Sequence, residues 1–200
     1  MIIKLIYLTE INFIKEYCSF LNMNARTILT KQAFQGLFAS AYGTLKVESS
    51  GFLAGERREK KTRREFVVEL AQAAQKVKRT YQSVLMNLEE DKRLKYALRG
   101  IIGGFHSHSN GDTILSESDM DIIREFYPKG IEIIVSLDTA ERLTRLVTTP
   151  FSVTGCFSDR GKKYRMGFCV HYVDFGESGE RGHKRKSEII IPKRVLKQYF

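Results

Sequence analysis

The spacing of apolar and polar residues changes period along this chain, and the changes predict the order of its elements. From Thr27 the apolar residues Ile28, Leu29, Phe34, Leu37, Phe38 and Tyr42 recur near 3.6 residues, which predicts a helix with Thr30 as N-cap and Gly43 as stop. TLKVESSGFLAG (44–55) is short and β-like and ends in small residues, and EFVVEL (65–70) reads as a strand. VKRTYQSVLMNLEEDKRLKYAL (77–98) sets Tyr81, Val84, Leu85, Leu88 and Leu94 near one face and predicts a long amphipathic helix. GIIGGFHSH (100–108) returns to strand. SESDMDIIREFY (116–127) opens on a serine, carries acids in its first turn and stops before Pro128, the start and stop signals of a capped helix. GIEIIVSLD (130–138) is apolar enough for a buried strand, and RLTRLVTTPFSVTG (142–155) and KYRMGFCVHYVDF (163–175) are β-rich around a turn at SDRG (158–161).

Strands alternating with helices predict an α/β or α+β chain built on a mixed β-sheet flanked by helices. Residues 1–24 read as an N-terminal extension of strand-plus-helix character, 25–175 as the domain, and 176–200 as a linker and basic C-terminal tail. In that tail EIIIPKRVLKQYF adds a short strand and a helical turn. A length of 200 residues with 42% hydrophobic content suits one medium domain with decoration.

Charge changes the picture of partners, not of fold. The formal net charge is +10, which favours an acidic partner surface or nucleic acid. The dense run ERREKKTRRE (56–65) predicts a solvated loop or hairpin, and its basic residues 57–64, like Lys184–Lys186, are candidates to receive an acidic partner. With no helix-turn-helix pair and no aromatic-basic ribbon, nucleic acid is the weaker expectation. The three cysteines, Cys18, Cys156 and Cys169, lack C-x-x-C spacing and predict free thiols in a reducing compartment. Lys4, Glu10, Lys15 and Glu16 interrupt the apolar start, and no segment approaches the ~20 apolar residues of a membrane span. A cytoplasmic location without a membrane partner is the expectation.

The chemistry concentrates in GGFHSHSNGDTILSESDMDII (103–123). On a strand, residues i and i+2 share a face, so His106 and His108 can point at one ion. Imidazole suits zinc, a catalytic site needs a third ligand and an open position, and Asp119 can supply the third from the first turn of the next helix. Ser116 sits at or beside that helix's N-cap, its hydroxyl near the same point. Taken alone, Ser-x-x-Asp is also a capping box with Asp in place of Glu. Glu56, Asp112, Asp121, His171 and His183 read as charged-loop, turn, helix-surface, strand and linker residues respectively.

His106-x-His108, seven residues, Ser116, two residues, Asp119 resembles the full signature of the JAMM (JAB1/MPN) zinc metallopeptidases. That pattern also has an acidic residue seven positions before the glycine closing a small-apolar run, and seven residues before Gly55 of GFLAG stands Glu48. The resemblance covers about residues 25–140, with a helix before Glu48, a strand and long helix between it and the histidines, and a helix then a strand after Asp119. It implies a JAB1/MPN (cytidine-deaminase-like) fold and one catalytic zinc on His106, His108 and Asp119. It further implies Glu48 as general base, Ser116 as oxyanion donor, and peptide or isopeptide hydrolysis at the C-terminus of ubiquitin-like proteins or their conjugates. Where the family usually has Pro after the second histidine this chain has Ser109, which alters a loop but removes no ligand. Amidohydrolase barrels and PHP phosphoesterases also use H-x-H, but need more chain and more ligands than the residues after Asp119 provide. A non-catalytic scaffold of the same fold, and a RadC-like branch with the same spacing and an association with nucleic acid, are the alternatives.

Overall fold

The computed structural model describes residues 24–45, 47–60, 62–74, 77–79, 84–86, 100–109, 111–176 and 182–200. The first strand, β1 (Asn24–Leu29), is followed by helix α1 (Lys31–Gly43), then by the long hairpin β2 (Ser50–Lys60) and β3 (Arg63–Ala73). Two short strands, β4 (Val77–Arg79) and β5 (Val84–Met86), pair with each other. The remainder runs β6 (Ile101–His108), α2 (Glu117–Phe126), β7 (Lys129–Thr139), β8 (Val147–Thr148), β9 (Ser152–Asp159), β10 (Lys162–Asp174), β11 (His183–Lys186), β12 (Glu188–Ile190) and α3 (Lys193–Tyr199). The main sheet has ten strands in the order β12-β1-β3-β2-β6-β7-β10-β9-β8, with β11 also on β10. The fold is therefore mixed α+β, with parallel β1–β3, β1–β12 and β6–β7 pairs among antiparallel ones.

Each face of the sheet has its own core. Ala33, Phe34, Leu37 and Ala41 form the buried stripe of α1, which packs with Val195 and Leu196 of α3 against Ile131, Ile133 and Val135 of β7 and Phe168 and Val170 of β10. On the other face Met120, Ile123 and Phe126 of α2 meet Phe52, Ile134 and Val173. Burying each such side chain contributes about 1.5–3 kcal/mol, so three anchors hold α2 to the sheet across β2, β7 and β10.

Several expectations change here. The helix expected from Thr27 starts at Lys31: residues 24–29 form β1, held between β3 and β12, with Ala25, Thr27 and Leu29 buried on the period of two. Thr30 remains the N-cap, its Oγ1 accepting from Ala33 N at 3.2 Å and donating to Glu69 O at 3.0 Å, and Gly43 is the last helical residue. The long helix expected over 77–98 is not what the described part forms, since Val77↔Met86 and Arg79↔Val84 pair as antiparallel strands. β-branched Val77 and Val84 favour the extended backbone; residues 80–83 and 87–98 of that expectation lie outside the described residues, as do residues 1–23 of the N-terminal extension.

The charge run takes its hairpin form, pairing through to Lys60↔Arg63. Arg57 and Arg64 lie on Glu59, Arg58 on Glu56, and Lys60 and Arg63 on Glu65, so the described cations of this hairpin are matched locally. The tight turn after β9 carries positive φ at both Arg160 and Gly161, the pattern of a type I′ hairpin.

Residues 183–200, expected as linker and tail, are woven into the sheet and core. β11 pairs antiparallel with β10 while β12, one residue later, pairs parallel with β1, so this segment joins two distant strands and curls the sheet. At the switch Ser187 donates its N–H to Val170 O at 2.8 Å, and its hydroxyl meets Thr27 Oγ1 at 3.0 Å. The Phe200 ring then fills the space beside Gly155 that a Cβ would occupy. Cys156 and Cys169 are buried free thiols, and no helix among the described residues is long and apolar enough to cross a membrane.

Candidate metal centre

The run GGFHSH ends β6, a central strand between β2 and β7. Its two glycines are required by close approach. A Cβ on Gly103 would collide with Ile131 O, and one on Gly104 would meet the Tyr127 ring and hydroxyl and lie 2.9 Å from Glu132 Oε2. His106 and His108 follow Gly104 on the face that α2 covers, as the strand period requires.

Each histidine is backed by a carboxylate. His106 Nδ1 lies 2.6 Å from Glu132 Oε1, and His108 Nδ1 lies 2.5 Å from Asp112 Oδ1. Glu132 is 2% exposed, and its other oxygen accepts from Tyr127 Oη at 2.7 Å. An ionised carboxylate only accepts, so both Nδ1 atoms carry a proton, and in the neutral imidazoles both Nε2 atoms present lone pairs. Those two Nε2 atoms face one another at 2.9 Å, and Asp119 Oδ2 stands 3.6 Å from the first. Three Lewis-basic atoms thus converge within 4.8 Å, an arrangement that a cation relieves.

The local field agrees. Burial pulls the His106 pKa down, but the Glu132 hydrogen bond and the charges of Glu132, Asp119 and Glu48 outweigh it and leave the imidazole pKa raised. A pocket that raises a buried histidine favours positive charge at that point. Two imidazoles and one carboxylate, with nothing softer, form a donor set that suits zinc and keeps a fourth position for water or substrate.

Asp119 is delivered by the cap of α2. Ser116 Oγ accepts from Asp119 N at 3.2 Å, and Asp119 Oδ2 accepts from Ser116 N at 2.7 Å and from Ser116 Oγ at 2.5 Å. The capping box is therefore real, and it aims the same carboxylate at His106. Structural cap and candidate ligand are one device.

Glu48 lies just before β2. Ser49 N and Oγ donate to Ser107 Oγ at 2.8 and 3.0 Å, and Ser107 N donates to Ser49 O at 2.7 Å, locking this approach to the histidine strand. Burial raises the Glu48 pKa, opposed by His108 and His106 and assisted by Asp119 and Asp112, so its carboxyl shares the electrostatic environment of the ligands. Ser50, two residues on, pairs with His106 in the register, and its buried hydroxyl has no hydrogen-bond partner among the described residues. An orphaned hydroxyl beside the convergent His106, His108 and Asp119 is consistent with a site that receives a bound group.

His106, His108, Ser116 and Asp119 come together, and the Glu48 carboxyl feels the charges of His106, His108 and Asp119. Asp112, taken from the sequence as a turn residue, instead backs His108. Glu132 and Tyr127 were not singled out; the available signal was a lone glutamate inside the apolar run GIEIIVSLD. His171 donates from Nε2 to Thr113 O at 3.2 Å, which holds the loop between the ligands. His183 is exposed on β11, Glu56 pairs with Arg58 in solvent, and Asp121 pairs with Arg124 on the exposed side of α2.

Comparison with known proteins bears on the fold alone. No protein-family model matches the chain, and no curated protein matches it. Among solved structures, the solution structure of protein DSY2949 from Desulfitobacterium hafniense superposes with a TM-score of 0.51 at 19% identity, covering 82% of this chain and 92% of that one. The mixed α+β architecture is thus similar to one already observed.

Proposed function

We propose that this protein is a zinc-dependent metallopeptidase with a JAB1/MPN-type fold, hydrolysing peptide or isopeptide bonds at the C-terminus of ubiquitin-like proteins. The observation that carries the reading is the opposition of His106 Nε2 and His108 Nε2 at 2.9 Å beside Asp119, each imidazole fixed from behind by a carboxylate. His106, His108 and Asp119 would hold the metal, which when bound supplies a water of lowered pKa and polarises the scissile carbonyl.

The remaining steps belong to the chain. Glu48, its pKa raised by burial, takes a proton from the attacking water as oxygen bonds to the amide carbon. The same carboxyl passes the proton to the amine as the carbon–nitrogen bond breaks. Ser116 Oγ donates to the oxyanion, for which its proton must turn from Asp119 Oδ2, where it now points. The substrate class rests on the motif resemblance, and a cytoplasmic setting on the free thiols Cys156 and Cys169.

An acidic partner is a further part of this reading. Arg57, Arg58, Lys60, Arg63 and Arg64 of the hairpin are ion-paired, whereas His183, Lys184, Arg185 and Lys186 are exposed on β11 and form no ion pair among the described residues. β11 is therefore the better receiver of negative charge. A non-catalytic scaffold is disfavoured by the complete ligand set. The deciding experiment is metal analysis of the purified protein with cleavage of a panel of ubiquitin-like fusions, with and without chelator. Absence of bound zinc after reconstitution overturns the reading; steeply salt-dependent DNA binding without cleavage supports the RadC-like alternative.

A further inference from the structure

The metal centre as drawn from the motif leaves one ionisable group unused. Glu132 occupies the middle of β7, between Ile131 and Ile133, and is 2% exposed. A carboxylate in so apolar a strand is costly unless every oxygen is engaged. Both are: Oε1 on His106 Nδ1 at 2.6 Å and Oε2 on Tyr127 Oη at 2.7 Å. Tyr127 is itself buried at the end of α2, and Gly104 lacks the side chain that would displace it. Three elements, β6, β7 and the end of α2, therefore converge on one imidazole edge.

We infer that Tyr127 and Glu132 are positioning residues for the metal: Tyr127 orients Glu132, and Glu132 fixes the tautomer, ring plane and basicity of His106. This rests on the metal reading above and extends it to residues outside the motif. Asp112 makes the same contact to His108 from a loop, with a side chain 40% exposed. Water can replace much of what Asp112 does. Glu132 is buried beneath Tyr127 whereas Asp112 faces solvent, so the two carboxylates are unequal. The buried one governs affinity and the exposed one trims it.

Carboxylates behind ligating histidines contribute about 10–100-fold in metal affinity. The test is zinc affinity of the full chain, measured by competition with a chromophoric chelator, beside the thermal stability of the zinc-free protein. Glu132→Gln is isosteric and still accepts through one oxygen. It is expected to weaken zinc by about 10–100-fold while the zinc-free protein still folds and unfolds in one cooperative transition. Tyr127→Phe is expected to weaken zinc by a smaller factor in the same direction. Asp112→Asn is expected to cost less than the ~10-fold low end of that range, because solvent replaces much of what its exposed carboxylate does.

A merely structural Glu132 gives the opposite split: lower stability of the zinc-free protein and unchanged zinc affinity, which overturns the inference. An Asp112→Asn loss equal to that of Glu132→Gln overturns the claimed inequality. If wild type itself binds no zinc, the metal reading falls and this inference with it. Zinc binding in wild type with an indifferent Glu132→Gln removes only the inference.

Discussion

His106 Nε2 and His108 Nε2 oppose one another at 2.9 Å while each Nδ1 is held by a carboxylate. Two lone pairs so placed repel unless a proton or a metal ion stands between them, and Asp119 Oδ2 adds a negative charge to the same point. Zinc should therefore stabilise the folded chain. At 100 times its dissociation constant a ligand adds about 2.7 kcal/mol, which at this chain length raises Tm by about 5–10 °C. Differential scanning fluorimetry with zinc and with a chelator checks this. His106→Ala and Asp119→Ala should abolish the shift, and a shift that survives both places the metal elsewhere.

Glu48 is assigned to proton transfer and not to ligation. Glu48→Gln should keep the zinc content of wild type and lower kcat at least about 100-fold, the usual scale of a lost acid–base group. Zinc stoichiometry and cleavage rate, measured on one preparation, separate the two roles. Turnover near the wild-type rate removes Glu48 from the mechanism.

Gly104 is required by what faces it. A Cβ there would overlap Tyr127 and approach Glu132 Oε2 to 2.9 Å. Gly104→Ala should cost about 1–3 kcal/mol, as overpacking typically does. Urea unfolding of the zinc-free protein measures it. A neutral result would mean that Tyr127 has another place to go.

His171 predicts a pH dependence of known sign. Burial pulls its pKa below the ordinary 6.5, aided by Lys186 and Lys184 and opposed by its bond to Thr113. A lowered folded-state value means the unfolded chain binds the proton first. His171 therefore contributes stability fully above about pH 6.5, and that contribution is lost as pH falls toward the lower folded-state value. His171→Gln can still donate to Thr113 O but does not titrate, so its Tm should fall less steeply than that of wild type between about pH 7 and 5. Parallel Tm–pH curves would show that His171 is not held neutral by the fold.

The local features of this protein were legible in its sequence because they depend on neighbours in the chain. The caps at Thr30 and Ser116, the helix from Glu117, and the strands ending at His108 and running through Ile134 follow from side-chain period and capping chemistry. So does the common face of His106 and His108. Glu48 could be found only through a motif resemblance, since nothing local distinguishes it from other acids. Tertiary structure decided the rest. Residues 27–29 open a helical apolar spacing but belong to β1, because β3 and β12 flank that position and satisfy its backbone on both sides. Residues 183–187 look like linker yet carry β11 and the switch that joins β10 to β1 through β12. Glu132 looks like an error in an apolar strand until His106 and Tyr127 arrive from other elements to satisfy it. Local pattern sets what each segment can do, whereas a buried charge or a strand edge acquires meaning only from a partner that the chain brings from far away.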